Sequence, residues 1–137
     1  MDALTTNSLM KMLCDEPDSF EQLRFAATKG FAETLAAAMK RANLTAHELI
    51  GRTLLSKSYV YQTLDGTRIP SRDALLRFAL ALRLELPEVQ RLLTRAGKSL
   101  LYPKVRRDAA IIACIAKRLS LCETDEFLES VEEKALL

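Results

Sequence analysis

Apolar residues recur three and four positions apart along most of the chain, the spacing of a buried helix stripe rather than of a strand. Residues Asp18–Lys29 read as a first helix, with Asp18 as its cap, Glu21 three positions on and Gly30 as its stop. Phe31–Ala42 reads as a second, with Phe31, Leu35, Ala38 and Met39 on one stripe, Glu33, Lys40 and Arg41 off it, and Asn43 at its end. Thr45-Ala46-His47-Glu48 has the form of a capping box, so a short helix is predicted to start at Thr45. Ser56 offers the next cap, with Val60 and Leu64 on one face behind it and Asp65-Gly66 as the stop. Ser71 caps a helix whose buried stripe is Leu75, Phe78, Ala79 and Leu82. Pro87 is predicted to open a helix that runs to Gly97, and Pro103 to open another. Ser120-Leu121-Cys122-Glu123 is a second capping box, for the last helix. No segment alternates as a strand would, so the fold class is all-α.

A weak internal repeat overlies this pattern. Shifting the chain by 35 residues lays Arg72–Leu93 on Arg107–Leu128, with Arg72/Arg107, Asp73/Asp108, Arg83/Arg118, Leu86/Leu121 and Leu93/Leu128 among the coincidences. Each copy reads as a helix, a bend and a second helix. Either the hairpin is duplicated, or two amphipathic hairpins rich in Ala, Leu and Arg match by chance.

Composition narrows the class. The chain has 137 residues, 49% hydrophobic and 28% charged, enough for one folded domain with a core and unlike a disordered chain. The longest apolar run, Ala109–Ala116, is far too short for a membrane span and reads as a buried helix. No leader-like segment opens the chain, and cytoplasmic placement is expected. Cys14, Cys114 and Cys122 are widely spaced and form neither a disulfide framework nor a metal motif. No metal or cofactor is expected, and the single His, no Gly-rich phosphate loop and no nucleophile–base pairing argue against an enzyme. Charge is unevenly placed: residues 31–107 hold fourteen basic and six acidic side chains, whereas residues 108–137 hold three basic and seven acidic. A basic middle between acidic ends suits a nucleic-acid surface, although solvated helix faces would give the same pattern.

Thr45–Gly66 has the proportions of a helix-turn-helix: a first short helix, a bend and a second short helix. The segment Leu44–Leu82 resembles the Cro/CI (lambda-repressor-like, or XRE) family of regulators. The likeness rests on Leu44-Thr45, Glu48-Leu49, Ser56-Lys57-Ser58-Tyr59-Val60, Gly66-x-Arg68-x-Pro70-Ser71 and Leu75-Leu76. It covers about Phe31–Gly97, and the segment from Leu101 onward is similar to an extension found in a bacterial subgroup of that family. Two positions depart from the family pattern. Ala46 stands where a DNA-clamping Gln is usual, and Leu54 where the turn usually has Gly. The implied architecture is a lambda-repressor-like bundle over 31–97, an N-terminal helical extension over 1–30 and a C-terminal helical hairpin over 98–137. The implied function is transcriptional regulation through sequence-specific binding of double-stranded DNA, as a homodimer, with residues 56–65 in the major groove.

The residues supply their own argument. With Val60 and Leu64 inward, a rotation of 100° per residue turns Ser58, Gln62 and Asp65 outward, flanked by Lys57 and Tyr61. Gln62 is suited to an adenine edge. Lys57, Arg68 and Arg72 lie at helix ends and in the loop, where phosphates would pass, and the helix N-termini at Thr45, Ser56 and Ser71 offer N–H donors. The alternative reading is a protein-interaction module on the same fold, whose basic middle or terminal segments bind a protein partner.

Overall fold

The computed structural model describes residues 20–137, with side chains from residue 30 onward. Within that span the chain forms seven helices and no strand: α1 (Phe20–Ala42), α2 (Ala46–Thr53), α3 (Lys57–Leu64), α4 (Arg72–Ala81), α5 (Leu86–Arg95), α6 (Arg106–Ala116) and α7 (Leu121–Ser130). Four starts are fixed by the side chains that the sequence nominates. Thr45, Ser56, Ser71 and Ser120 each accept a hydrogen bond from the backbone N–H three residues on, and Thr45–Glu48 and Ser120–Glu123 close reciprocal capping boxes. Pro87 sits in the first turn of α5, where its missing N–H is harmless.

Two expectations are corrected. Gly30 does not stop a helix: α1 runs through it from Phe20 to Ala42, and the Thr34 hydroxyl donates to the Gly30 carbonyl at 3.0 Å. Glycine ends a helix by turning left-handed, and Gly30 is not among the residues with positive φ. The cap expected at Asp18 and the cysteine at position 14 lie outside the described residues. Pro103 does not open a helix either. It stands in a turn closed by Val105 N–H on the Tyr102 carbonyl, and α6 begins at Arg106.

Helix ends follow one device. Asn43, Arg83, Gly97, Arg118 and Glu132 are left-handed. After each, the next N–H reaches back to a carbonyl five residues earlier, as Leu84 does to Ala79 and Leu119 to Cys114. This stops each of these helices within two residues and keeps the connections short. Leu54, at the position where the resembled family has Gly, is also left-handed at φ 57° and still donates to the Ile50 carbonyl. The turn between α2 and α3 therefore keeps its geometry without glycine.

One core joins all seven helices. Phe31 and Leu35 of α1, Leu49 of α2, Val60 of α3, Leu75, Leu76 and Phe78 of α4, Leu92 and Leu93 of α5, Ile111 of α6 and Leu128 of α7 are buried in a single cluster. Buried Thr53 and Thr63 return their hydroxyls to the carbonyls of Leu49 and Tyr59, which satisfies them inside an apolar layer. Cys114 is buried in α6, and its burial pushes the thiol above its ordinary pKa, while Cys122 is exposed.

The 35-residue repeat is structural. Hairpins α4–α5 and α6–α7 pack with α4 on α7 and α5 on α6, and a set of their polar contacts recurs 35 positions away. Arg72 forms two hydrogen bonds to the Asp108 carboxylate, and Arg107 forms two to Asp73, all between 2.9 and 3.1 Å. Arg72 also donates to the carbonyls of Ser99 and Leu100, as Arg107 does to those of Lys134 and Ala135. Gln90 accepts from Leu101 N–H, and Asp125 from Leu136 N–H. The Arg83 and Arg118 guanidinium groups donate to each other's carbonyls. Chance similarity of amphipathic hairpins does not reproduce a hydrogen-bond set in register. The chain duplicates its hairpin and pairs the copies around a local pseudo-two-fold axis.

Two outcomes follow. Leu54 is 56% exposed, so its side chain contributes little packing while its backbone is strained. Leu54→Gly should stabilise the fold by about 0.5–1 kcal/mol after allowing for the entropy of an unfolded glycine, read as a rise in thermal midpoint. Burial opposes ionisation of Asp108, but the bond from Arg72, the Tyr102 N–H and the charges of Arg72 and Arg107 outweigh it and hold its carboxyl below the ordinary value. A depressed folded pKa stabilises the native state above the unfolded carboxyl pKa, about 4, and that contribution disappears as pH falls through the folded value. Asp108→Asn should cost about 2–3 kcal/mol in neutral denaturant titrations and flatten the acid limb of stability against pH. An unchanged midpoint at neutral pH would show that the pair does not hold the hairpins together.

Candidate nucleic-acid interface

The turn between α2 and α3 fixes how α3 is presented. Leu49 and Thr53 bury one side of α2, and Val60 and Thr63 bury one side of α3, with Leu64 packed at the edge of the core. That leaves Lys57, Ser58, Tyr61 and Asp65 exposed and Gln62 half-exposed on the outer side of α3, as the helical rotation requires. Tyr61 is 45% exposed, and the Lys57 ammonium lies 6.0 Å from its ring centre, so cation and ring form one projecting unit near the start of the helix.

The other end of that face is held by a chain of contacts. Arg68, in the loop after α3, donates through Nε to the Gln62 side-chain oxygen at 2.9 Å. Its guanidinium stacks over the Tyr59 ring at 4.6 Å. The Tyr59 hydroxyl in turn accepts the Ser71 N–H at 3.0 Å, directly before α4. The loop itself folds back on the helix, since the Gln62 carbonyl accepts from both Thr67 and Arg68 N–H. Asp65 also holds this loop. Hydrogen bonds from the Thr67 hydroxyl and backbone lower its pKa, and it caps the bend beside left-handed Gly66.

The nine nominated residues thus separate by role. Lys57, Ser58, Tyr61, Gln62 and Arg68 come together on the outward side of α3 and its loop. Thr45, Ser56 and Ser71 have their side-chain oxygens engaged as caps, so what they present outward is the start of a helix. Arg72 is different. Its guanidinium is directed inward to Asp108, Ser99 and Leu100, with 22% of the side chain exposed. Tyr59 is the residue that the nomination misses. Its spacing of three from Gln62 puts the two on one helix face, a signal available in the sequence. Its tie to Ser71, twelve residues on, was not.

Lys57 and Arg68 are in no ion pair among the described residues, whereas Arg41, Arg72, Arg106, Arg107 and Arg118 each have a carboxylate partner. Unpaired cations therefore flank the polar face of α3 at both ends, with the Asp65 carboxylate beside the one at its C-terminal end. Among the described residues, no group of three or more His, Cys, Asp or Glu side chains is placed to hold a metal ion.

Residues 31–92 match the family model of a helix-turn-helix domain. No curated protein and no solved structure matches the chain significantly. The matched segment spans α2 and α3 and the helices packed on them, so the all-α bundle contains a segment similar to a helix-turn-helix domain.

Tyr59→Phe removes the acceptor for Ser71 N–H and keeps the ring under Arg68. It should cost about 1 kcal/mol of stability and loosen the loop before α4, read as faster amide exchange at Thr67–Ser71. Unchanged exchange there would mean that the hydroxyl does not hold the loop.

Proposed function

We propose that this chain is a transcriptional regulator of the Cro/CI type that reads double-stranded DNA with α3 in the major groove, acting as a homodimer in the cytoplasm. The observation that carries the reading is the outward face of α3: a polar surface with unpaired Lys57 and Arg68 at its ends, whose central amide is held in place by Arg68 and Tyr59. A helix of this size fits the major groove, and a fixed amide is suited to an adenine edge. Because Arg68 engages one lone pair of the Gln62 oxygen, the amide keeps its two N–H donors and a second lone pair for a base. Ser58 and Tyr61 lie beside it as further base or sugar contacts. Lys57 and Arg68 supply phosphate contacts, and the helix starts at Thr45, Ser56 and Ser71 add backbone donors. Residues 31–97 form the reading domain in this proposal, 1–30 an N-terminal extension and 98–137 a hairpin that braces it. Among the described residues no helix is long and apolar enough to cross a membrane.

Arg72 enters this reading as a brace. Arg72→Ala would leave the Asp108 carboxylate unpaired and destabilise the fold, so it is not a clean probe of phosphate contact.

Binding should fall steeply with salt. Lys57→Ala should weaken binding to every sequence and flatten the salt slope by about one unit. Gln62→Ala should cost about 1–3 kcal/mol at one position of the preferred site and little on random DNA. Arg68→Ala should do both, because it removes a cation and releases the Gln62 amide. Binding profiles over all single-base variants of an enriched site, at several salt concentrations, separate these outcomes. Identical profiles for wild type and Gln62→Ala would remove Gln62 from the readout, and salt-independent binding would overturn the DNA reading.

A further inference from the structure

Two residues around the turn before α3 are poor choices for folding alone, and they line the same cavity. Leu54 holds left-handed backbone at φ 57° with its side chain exposed, where glycine would take that conformation without strain. Gly51, three positions before it in α2, shows the opposite mismatch. Glycine weakens a helix, the φ of Gly51 is not positive, and a methyl group there would meet no atom within 4 Å. Neither backbone nor packing therefore calls for glycine at that position. The cavity that both residues border has a volume of about 290 Å³. Arg52 of α2, Leu80 and Arg83 around the end of α4, and Leu121 at the start of α7 line it too. It thus lies where the helix-turn-helix meets the second hairpin.

We infer that this cavity is an effector site for a small organic acid, whose carboxylate is held by Arg52 and Arg83 and whose apolar body rests on Leu54, Leu80 and Leu121. Binding of the acid is independent of the DNA-reading proposal, and only its effector role rests on that reading. Charge selects the head group. Neither arginine is in an ion pair among the described residues. Arg52 reaches the Ala81 carbonyl only at 3.5 Å, and Arg83 donates to the Arg118 carbonyl, so each guanidinium keeps most of its donors. The carboxylates nearest to them are committed to capping boxes. Glu48, four residues before Arg52, accepts from Thr45 N–H, and Glu123, close enough to feel the charge of Arg83, accepts from Ser120 N–H. That second box also closes the start of α7, so the arginines and not the helix end supply the anion contacts. Volume limits the body, because the cavity is at the small end of small-molecule sites, which run from about 300 to 1,000 Å³. Leu54 is the wall that a glycine would remove, and Gly51 is the opening that a side chain would narrow. A ligand seated there touches the turn that presents α3, and so bears on how firmly α3 is held.

The test is a titration of the full chain with sodium benzoate, followed by backbone amide shifts in NMR spectra, with sodium acetate and benzyl alcohol as the head and the body alone. Benzoate should shift the amides of residues 51–54, 80–83 and 120–122 and saturate with a dissociation constant on the order of millimolar, the scale for so small a ligand. Acetate and benzyl alcohol should each bind at least about tenfold more weakly. Arg52→Gln and Arg83→Gln should each weaken benzoate about tenfold, the scale of one hydrogen bond to a charged group. Leu54→Gly and Gly51→Ala should weaken it by a similar factor while raising the thermal midpoint, a combination that damage to the fold does not produce. Shifts scattered over the surface, or an affinity unchanged in Arg52→Gln and Leu54→Gly, would overturn the site. Duplex binding at constant ionic strength separates the two proposals. An affinity for DNA that changes with benzoate and not with acetate supports the effector role. Benzoate bound in the cavity with duplex affinity unchanged overturns that role and leaves the DNA reading standing. Benzoate bound there by a chain with no affinity for duplex DNA supports the site and overturns the DNA reading.

Discussion

The pairing of Arg72 with Asp108 is the contact on which the rest of the architecture depends. Arg72 is the first residue of α4, directly after the cap at Ser71, and Asp108 lies in the first turn of α6. The same carboxylate also accepts the Tyr102 N–H, so one buried acid fixes the start of α4, the loop before α6 and the register between the hairpins. From Ser71 the path continues through the Tyr59 hydroxyl, the Tyr59 ring, Arg68 and the Gln62 amide. A partly buried ion pair contributes little net stability against an apolar equivalent, but breaking one side of it is expensive. Its value here is register: only one alignment of the hairpins satisfies Arg72, Asp108, Arg107 and Asp73 together.

Short helices make that alignment possible. Each of α2 to α7 ends in one abrupt stop, often at a left-handed residue that is not glycine. Left-handed backbone at Asn43, Arg83, Arg118 and Glu132 is unfavourable locally. It is tolerated because the reversed chain immediately returns N–H groups to carbonyls that would otherwise be unsatisfied, and because the following residue packs inward, as half-buried Leu44, buried Leu84 and half-buried Leu119 do. Leu54 is the exception in kind. Its side chain stays in solvent while its backbone takes the same turn, so the bend between α2 and α3 is dictated by the packing of Leu49 and Val60 on either side of it.

The duplication gives the two hairpins one scaffold and different surroundings. The first packs against α1 and α2, and its α4 is buried on nearly every side, with seven buried residues. The second repeats a set of those internal contacts and packs chiefly on the first, α7 on α4 and α6 on α5. The polar set that survives in both copies is the set that closes each hairpin and joins the pair. The apolar set recurs in both copies too, fully buried in the first and mostly half-buried in the second, where Phe127 and Val131 pack at the edge of the core.

What the sequence by itself determined was local. The caps at Thr45, Ser56, Ser71 and Ser120, the inward side of α3 and the helix-turn-helix proportions all come from bonds and spacings within a few residues. Such features form the same way whatever the rest of the chain does. The tertiary structure decided what depends on residues far apart. Gly30 lies within a helix rather than ending one, because a glycine can continue a helix as well as end it and the choice is made by what lies around it. Pro103 yields the helix start to Arg106, because the Tyr102 N–H is held by Asp108. Arg72 looks like Arg68 in the sequence, a cation at the edge of the motif, yet one faces a buried carboxylate 36 positions away and the other stacks on a ring nine positions back. No periodicity carries that distinction, since the partner that sets each side chain's direction arrives only when the hairpins pack.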